Sequence, residues 1–252
     1  MTADEYLYTI LRREAVDTSA TSPVRGVQAV LQPLINQWAG SYLRTVHPSG
    51  SFAKGTANHS GTDIDLFLSV KNETPNTLKE IYMTLFNKLK EAGYSPNMQN
   101  VSINVRVGAY DVDLVPAKHQ GGNSQDHSLY RRRADTWTQT NVQQHIATVT
   151  KAGRTIETRV LKLWRNQKQL DLPSFYLELV VIAALSGARG TLSQNIWTTF
   201  EYLRDRFPNA RFIDPANTNN IISDDLSAAD KTKIATAAGE ALRATNWGHI
   251  VL

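Results

Sequence analysis

A chain of 252 residues with 41% hydrophobic content is long enough to bury a sizeable core, either as one compact unit or as two lobes. Its lack of cysteine excludes disulfides and any thiolate zinc site. The formal charge of +4 is a modest excess for this length, compatible with a nucleotide or nucleic-acid partner without requiring one.

No targeting pattern opens the chain, and its most apolar run, Phe175 to Leu185, is too short for a membrane span and carries Glu178. A soluble cytoplasmic protein with no membrane partner is therefore expected. Thr2-Ala3-Asp4-Glu5 has the form of a capping box, and Leu7, Ile10 and Leu11 follow on one face. This predicts a short first helix packed on the outside. A loop from Asp17 to Ser22 leads to Pro23 at a helix start, after which Val27, Leu31, Leu34, Ile35, Trp38 and Tyr42 give a helical stripe. Pro33 lies inside that stripe and is expected to kink or break it.

Next come Gly50-Ser51 and then Asp63-Ile64-Asp65-Leu66-Phe67-Leu68. Side chains alternate across a strand, so Asp63 and Asp65 share one face while Ile64, Leu66 and Leu68 take the other. Two adjacent anions repel unless a cation lies between them. A hard divalent ion such as Mg²⁺ takes one or two carboxylates plus phosphate oxygens, and two such ions clamp the attacking and leaving oxygens of a phosphoryl transfer. Pro75 to Gly93 reads as a helix with Leu78, Ile81, Tyr82, Leu85 and Leu89 inward. Val101 to Val107 and Tyr110 to Pro116 alternate on either side of Gly108-Ala109 and predict a hairpin. In it Val112 and Leu114 face the core, and Asp111 and Asp113 share the opposite face. Spacing does not choose between these two.

An acidic pair on one strand is weak on its own. The glycine-serine turn, the alternation and the second acidic strand together point to a metal site. The stretch from Ala117 to Asp135, with Gly121-Gly122-Asn123-Ser124, reads as a polar, mobile loop. Within it Arg131-Arg132-Arg133, near His127, Tyr130 and Trp137, is either a solvated run or a contact for triphosphate or an oligonucleotide.

From about Thr138 the pattern turns helical, with stripes at Ile156, Val160, Leu161 and Trp164, then Phe175 to Ala184, then Ile196, Phe200, Leu203 and Phe207. The chain is thus α+β, divided at 137/138. Phe175 or Tyr176 either stacks on a base or belongs to the core. Glu178, in a very apolar helix, needs a partner such as a backbone amide or an arginine. His59 and His145 have no metal-ligand companion at useful spacing. The tail Trp247 to Leu252 is expected to pack on the helical lobe.

Gly50-Ser-Phe-Ala-Lys-Gly-Thr56 followed by Asp63-Ile-Asp-Leu-Phe67 resembles the signature of the polymerase-β-like nucleotidyltransferases. The branch in question holds the cGAS/DncV-like enzymes (CD-NTases), the oligoadenylate synthetases and the archaeal CCA-adding enzymes. The resemblance implies a nucleotidyltransferase palm over 1–137, a mixed sheet with flanking helices and a long N-terminal helix, plus a C-terminal helical nucleotide-binding lobe over 138–252. It implies that Gly50 and Ser51 open a short helix and grip the triphosphate, and that Asp63 and Asp65 are the paired metal carboxylates. The third carboxylate precedes a Leu-Val-Pro-like run in the branch, which favours Asp113 over Asp111. Arg159 to Trp164 and Pro173 to Val180 extend the resemblance and match Lys162 and Ser174 to contacts of the triphosphate tail. Without it, these two read as a snorkelling lysine and a helix-cap serine. Asp214 to Asn220 resembles a loop that crosses toward the cleft, or else is a turn-forming linker.

The implied activity is Mg²⁺-dependent, or Mn²⁺-dependent, nucleotidyl transfer from nucleoside triphosphates with release of pyrophosphate. Its setting would be a bacterial antiviral-defence enzyme that makes a cyclic or linear oligonucleotide signal, with an effector or regulatory partner protein. Alternatives are addition to a nucleic-acid end, tRNA or a DNA or RNA primer, or to a protein hydroxyl. The end at Leu252 counts against tRNA. An inactive nucleotide-binding interaction module is the alternative of another class.

Overall fold

The computed structural model describes residues 1–17, 19, 21–61 and 63–252; the loop expected from Asp17 to Ser22 includes Thr18 and Ala20, which lie outside them. In chain order the elements begin with α1 (Ala3–Arg13), α2 (Pro23–Ala39), β1 (Leu43–Pro48), α3 (Gly50–Lys54), β2 (Ile64–Val70) and α4 (Leu78–Glu91). Five strands follow: β3 (Asn97–Met98), β4 (Ile103–Val107), β5 (Tyr110–His119), β6 (His127–Arg131) and β7 (Thr136–Thr140). The rest is helical: α5 (Val142–Ala152), α6 (Thr155–Gln167), α7 (Ser174–Ala184), α8 (Leu192–Asp205) and α9 (Ala228–Ala241). Two compact units result. One comprises Met1–Val16, Lys54–Gly61 and Ala147–Leu252, the other Asp17–Ala53 and Thr62–Ile146. The expected cut at 137/138 thus falls short of the observed one at 146/147, and the first helix belongs with the C-terminal helices.

The second unit is built on a mixed sheet of order β1-β2-β5-β4-β3, with β6 beside β5 and β7 beside β6. Strands β2 and β5 run parallel; β4 and β5 form the antiparallel hairpin, turned at Gly108-Ala109 with Gly108 at φ 60°. One face is apolar: Ile64, Leu66, Leu68, Val112 and Leu114 are buried, with α2 and α4 packed against the sheet. Thr77 and Glu80 close a capping box at the start of α4. Of the kink or break expected at Pro33, the break does not occur: α2 is one helix through that residue. Pro33 and Ala29, whose carbonyl loses its helical partner, are both exposed, so the proline lies on the solvent side of the helix, where that loss costs least.

The stretch expected as a loop from Ala117 to Asp135 is interrupted by strand: 120–126, with Gly121-Gly122-Asn123-Ser124, and 132–135 are turns, and the residues between and before them are sheet. β5 continues to His119, and β6 and β7 pair from His127↔Thr140 to Arg131↔Thr136. Helix therefore starts at Val142 and not near Thr138. The β-branched alternation of Thr136, Thr138 and Thr140 and the inward Leu129 are the strand signals here.

In the helical unit, α1 is part of the core and not an outer layer. Leu7 is fully buried, and Ile10 and Leu11 join Trp164, Tyr176, Phe200 and Phe207 in one cluster. The stripe of Leu7, Ile10 and Leu11 finds its partners in α6 and α8, which lie far along the chain. The tail packs as expected: Ile250 and Val251 are buried, and the Tyr6 hydroxyl donates to the Val251 carbonyl at 2.9 Å. Asp214 is a turn former, accepting from the Ala216 amide at 2.8 Å and the Asn220 side chain at 3.1 Å. No helix among the described residues is long and apolar enough to cross a membrane.

Candidate active site

The polar face of the sheet gathers the carboxylates. Asp63 immediately precedes β2, Asp65 is its second residue, and the parallel register sets Asp65 directly opposite Asp113 of β5. The hairpin register then sets Asn104 of β4 beside Asp113 on the other flank. Asn104 donates to the Asp113 carboxylate at 2.8 Å and Gln99 donates to the same oxygen at 3.2 Å. Asp111 is differently engaged. It lies nearer the hairpin turn in an exposed ion pair with Arg106 at 3.1 Å.

Electrostatically the site carries too much negative charge. Partial burial pushes the Asp63 carboxyl above its ordinary pKa, although the residue keeps a solvent-open side, and the anions Asp113 and Asp111 push it further. Burial likewise raises Asp113; its hydrogen bonds from Asn104 and Ser102 work the other way, and Asp111 adds repulsion. Groups whose anionic form is this disfavoured are natural partners for a cation.

Strand β1 delivers the chain to this face. The Ser49 amide donates to the Asp65 carbonyl at 2.8 Å, and Gly50 then turns at φ 56° into the short helix α3. A Cβ at Gly50 would overlap the Asp65 carboxylate, so the backbone approaches that side chain as only glycine permits. Ser51 follows, half-buried.

The donor set fits a hard divalent ion: oxygen ligands only, on two adjacent strands, with unbalanced negative charge. Among the described residues no three His, Asp or Glu side chains are gathered into a ready-made cage. Mg²⁺ does not need one, because it typically keeps one or two carboxylates and fills its shell with water and phosphate oxygens.

Two residues along β2 from Asp65, roughly 7 Å on by strand geometry, Phe67 lies on the same face. It borders a cavity of about 140 Å³ that Arg44, His47, Gln125, His127 and Gln143 also line. Within it the His47 Nε2 atom is buried with no hydrogen-bond partner among the described residues. His127 is fully committed. Its Nδ1–H donates to the Gln125 carbonyl at 2.8 Å, so Nε2 accepts from the Ser69 hydroxyl at 2.8 Å. Burial drives the pKa of His127 down to about 4, the Gln125 bond opposing and nearby His119, Arg44 and His47 assisting.

The helical unit holds the remaining expected residues. Ser174, the first residue of α7, is exposed and accepts from Arg165 at 3.0 Å. Lys162 of α6 is buried and does not snorkel. Its ammonium donates to Glu178 at 2.7 Å and to Thr56 at 2.9 Å. Glu178, for which a backbone amide or an arginine was expected, is met instead by Lys54 at 2.5 Å, by Lys162 and by the Thr56 hydroxyl at 2.7 Å. Tyr176 is core, packed on Phe207 and Phe212, and Lys54 sits 5.0 Å over the Phe175 ring. Sequence reasoning gave Lys54, Thr56, Asn104 and Gln99 no role. Asn104 was within reach, because a two-residue hairpin link fixes its register opposite Asp113. The basic run Arg131 to Arg133 is exposed at the β6–β7 turn, where the Arg132 Nε donates to the Gln99 carbonyl at 3.1 Å.

The fold that carries these residues is shared with solved structures. E. coli MS115-1 CdnC with ATP matches with a TM-score of 0.77 at 20% identity, covering 95% of this chain and 90% of that one. The fold is that of the polymerase-β-like nucleotidyltransferases. The same CdnC in its complex with HORMA-deltaN matches at a TM-score of 0.75 and 20% identity, covering 95% of this chain and 89% of that one. Cid1 poly(U) polymerase bound to MgATP matches at 0.70 and 12% identity, covering 95% and 93%. In sequence, the Cyclic AMP-AMP-AMP synthase of Escherichia coli (strain MS 115-1) is 26% identical over 162 residues. That alignment takes in 57% of this chain and half of the relative's length. Similarity in both sequence and fold thus runs to the E. coli MS115-1 enzyme, and similarity in fold extends to the poly(U) polymerase. No protein-family model matches the chain.

Proposed function

We propose that the chain is a nucleotidyltransferase that consumes nucleoside triphosphates, releases pyrophosphate and makes a cyclic or linear oligonucleotide signal, in the setting of bacterial antiviral defence. The carrying observation is the register that sets Asp65 opposite Asp113, with Asp63 adjacent and Gly50 against the Asp65 carboxylate. Asp63, Asp65 and Asp113 would hold a divalent ion, Mg²⁺ or Mn²⁺. When bound, it supplies neutralisation of phosphate charge and activation of the attacking hydroxyl.

The reaction joins a sugar hydroxyl oxygen to the α-phosphorus and breaks the bond from that phosphorus to pyrophosphate. The proton of the hydroxyl leaves with the acidic face as its nearest acceptor. Asp113 is held by Asn104 and Gln99 and so keeps one orientation toward the transfer point. Gly50 and Ser51 position the triphosphate, and Lys162 and Ser174 meet its tail. The cavity beside Phe67 supports a seat for one planar ring of the acceptor, since a cavity of ~150 Å³ admits a ring the size of benzene. A regulatory protein partner is supported by the CdnC complex with HORMA-deltaN.

A second reading, addition of nucleotides to a nucleic-acid end, draws on the likeness to Cid1 poly(U) polymerase. Incubating the protein with each of the four ribonucleoside triphosphates and Mg²⁺, with and without an oligonucleotide, and identifying products by mass spectrometry separates the two. Cyclic or short linear products formed without primer support the signal synthase. Extension that strictly requires the primer moves the assignment to end addition, and absence of turnover under all conditions leaves only a nucleotide-binding module.

A further inference from the structure

The helical unit buries an unusual group of charges. Glu178, fully excluded from solvent, is met by two lysines, and Lys54 and Lys162 are themselves more than nine-tenths buried. The Thr56 hydroxyl donates to Glu178 and accepts from Lys162, which closes a ring of polar contacts. Arg165 stands near the same carboxylate, with its own guanidinium turned to the Leu172 carbonyl and Ser174. One anion is thus met by two cations, with a third nearby, beside the apolar Leu161, Leu177 and Val181. Such an excess is unfavourable unless a further anion answers it. The Lys162 ammonium also has three donors and spends two among the described residues.

We infer that Glu178 is a positioning residue for a polyphosphate, fixing the ammonium groups of Lys54 and Lys162 so that the nucleotide's triphosphate supplies the missing negative charge. This rests on the reading that Lys162 meets the triphosphate. Lys54 is also the last residue of α3. Electrostatics agrees with the geometry. Burial pulls the pKa of Lys162 down, Glu178 pushes it back up by charge and hydrogen bond, and Lys54 and Arg165 pull it down again. Glu178 itself is lowered: burial opposes this, and Lys162 and Lys54 overcome it.

The test is ATP affinity, measured by calorimetry from pH ~6 to ~9 with thermal melts to verify folding. In Glu178→Gln, Lys162 loses the charge that keeps it protonated, so affinity falls off at lower pH than in the wild type. The loss is expected to be several-fold at the alkaline end of the range and to close toward the acid end. In Lys54→Met, a repelling cation is removed and the fall-off moves to higher pH. Opposite displacements of the two profiles are the expected result. Profiles that drop uniformly without moving, or that move the same way, overturn the inference. Lys162→Met keeps its failure separate from that of the underlying reading. If this variant binds ATP like the wild type, Lys162 does not meet the triphosphate. If it binds weakly while the Glu178→Gln profile stays in place, the lysine's role stands and Glu178 does not position it.

Discussion

Asp113 is a residue whose preferred ionisation conflicts with its surroundings. Burial and the neighbouring anion Asp111 raise its pKa, as they do for Asp63, so both carboxylates are folded at a cost once ionised. The sign follows directly. A carboxyl with a raised folded-state pKa favours the folded state below the ordinary carboxylate range of ~4, and that advantage is lost as pH rises through the raised value. Asp113→Asn is therefore predicted to melt a few degrees higher than the wild type at pH 7.5 in EDTA, with the gain shrinking as pH falls toward that range. Pyrophosphate release by the variant is predicted to be lost. Stability traded for function in this way is common where like charges are held together for catalysis. A lower melting point for the variant at neutral pH would argue that the Asn104 and Gln99 bonds, and not repulsion, dominate at this position.

Among the elements, the first acidic strand and the hairpin were legible because acidic and apolar residues alternate over Asp63-Ile64-Asp65-Leu66 and Asp111-Val112-Asp113-Leu114. Strands β6 and β7 were not. His127-Ser-Leu-Tyr-Arg131 has one aliphatic residue, and its histidine reads as polar although it is buried between Phe67 and His119 in ring contact. The same histidine gives β6 a pH dependence. Neutral in the fold with a pKa of about 4, and ~6.5 when unfolded, it contributes stability that is complete above pH ~6.5 and lost as pH falls through about 4, roughly 3 kcal/mol in all. The melting temperature should accordingly fall between pH 7 and pH 4.5. In His127→Gln, which can still bond Ser69, that slope should be visibly shallower; an unchanged slope would place the acid-sensitive groups elsewhere.

For the whole molecule, the order of elements was readable and their grouping was not. Helix α1 carries a legible cap and stripe, but its partners α6 and α8 lie far along the chain, and no local pattern tells an outer helix from a core one. Lys54 to Gly61 joins the helical unit through contacts of the same kind: Asn58 donates to the Arg159 carbonyl at 2.9 Å, and Lys54 reaches Glu178. Side chains that act across such distances leave no periodic trace. The strand repeat of two brought Asp63 with Asp65 and Asp111 with Asp113 into view, and the resemblance chose Asp113; the lysine–glutamate ring left no such trace, because its members are brought together only by the fold.

In the proposed reaction Asp63, Asp65 and Asp113 act together in transfer from a nucleoside triphosphate. The most direct measurement is pyrophosphate release from ATP with Mg²⁺ by the wild type and by the Asp63→Asn, Asp65→Asn double variant, each shown by thermal melting to be folded. The wild type is predicted to release pyrophosphate and the folded double variant to release none above background; release by the variant at a rate near that of the wild type would contradict the account.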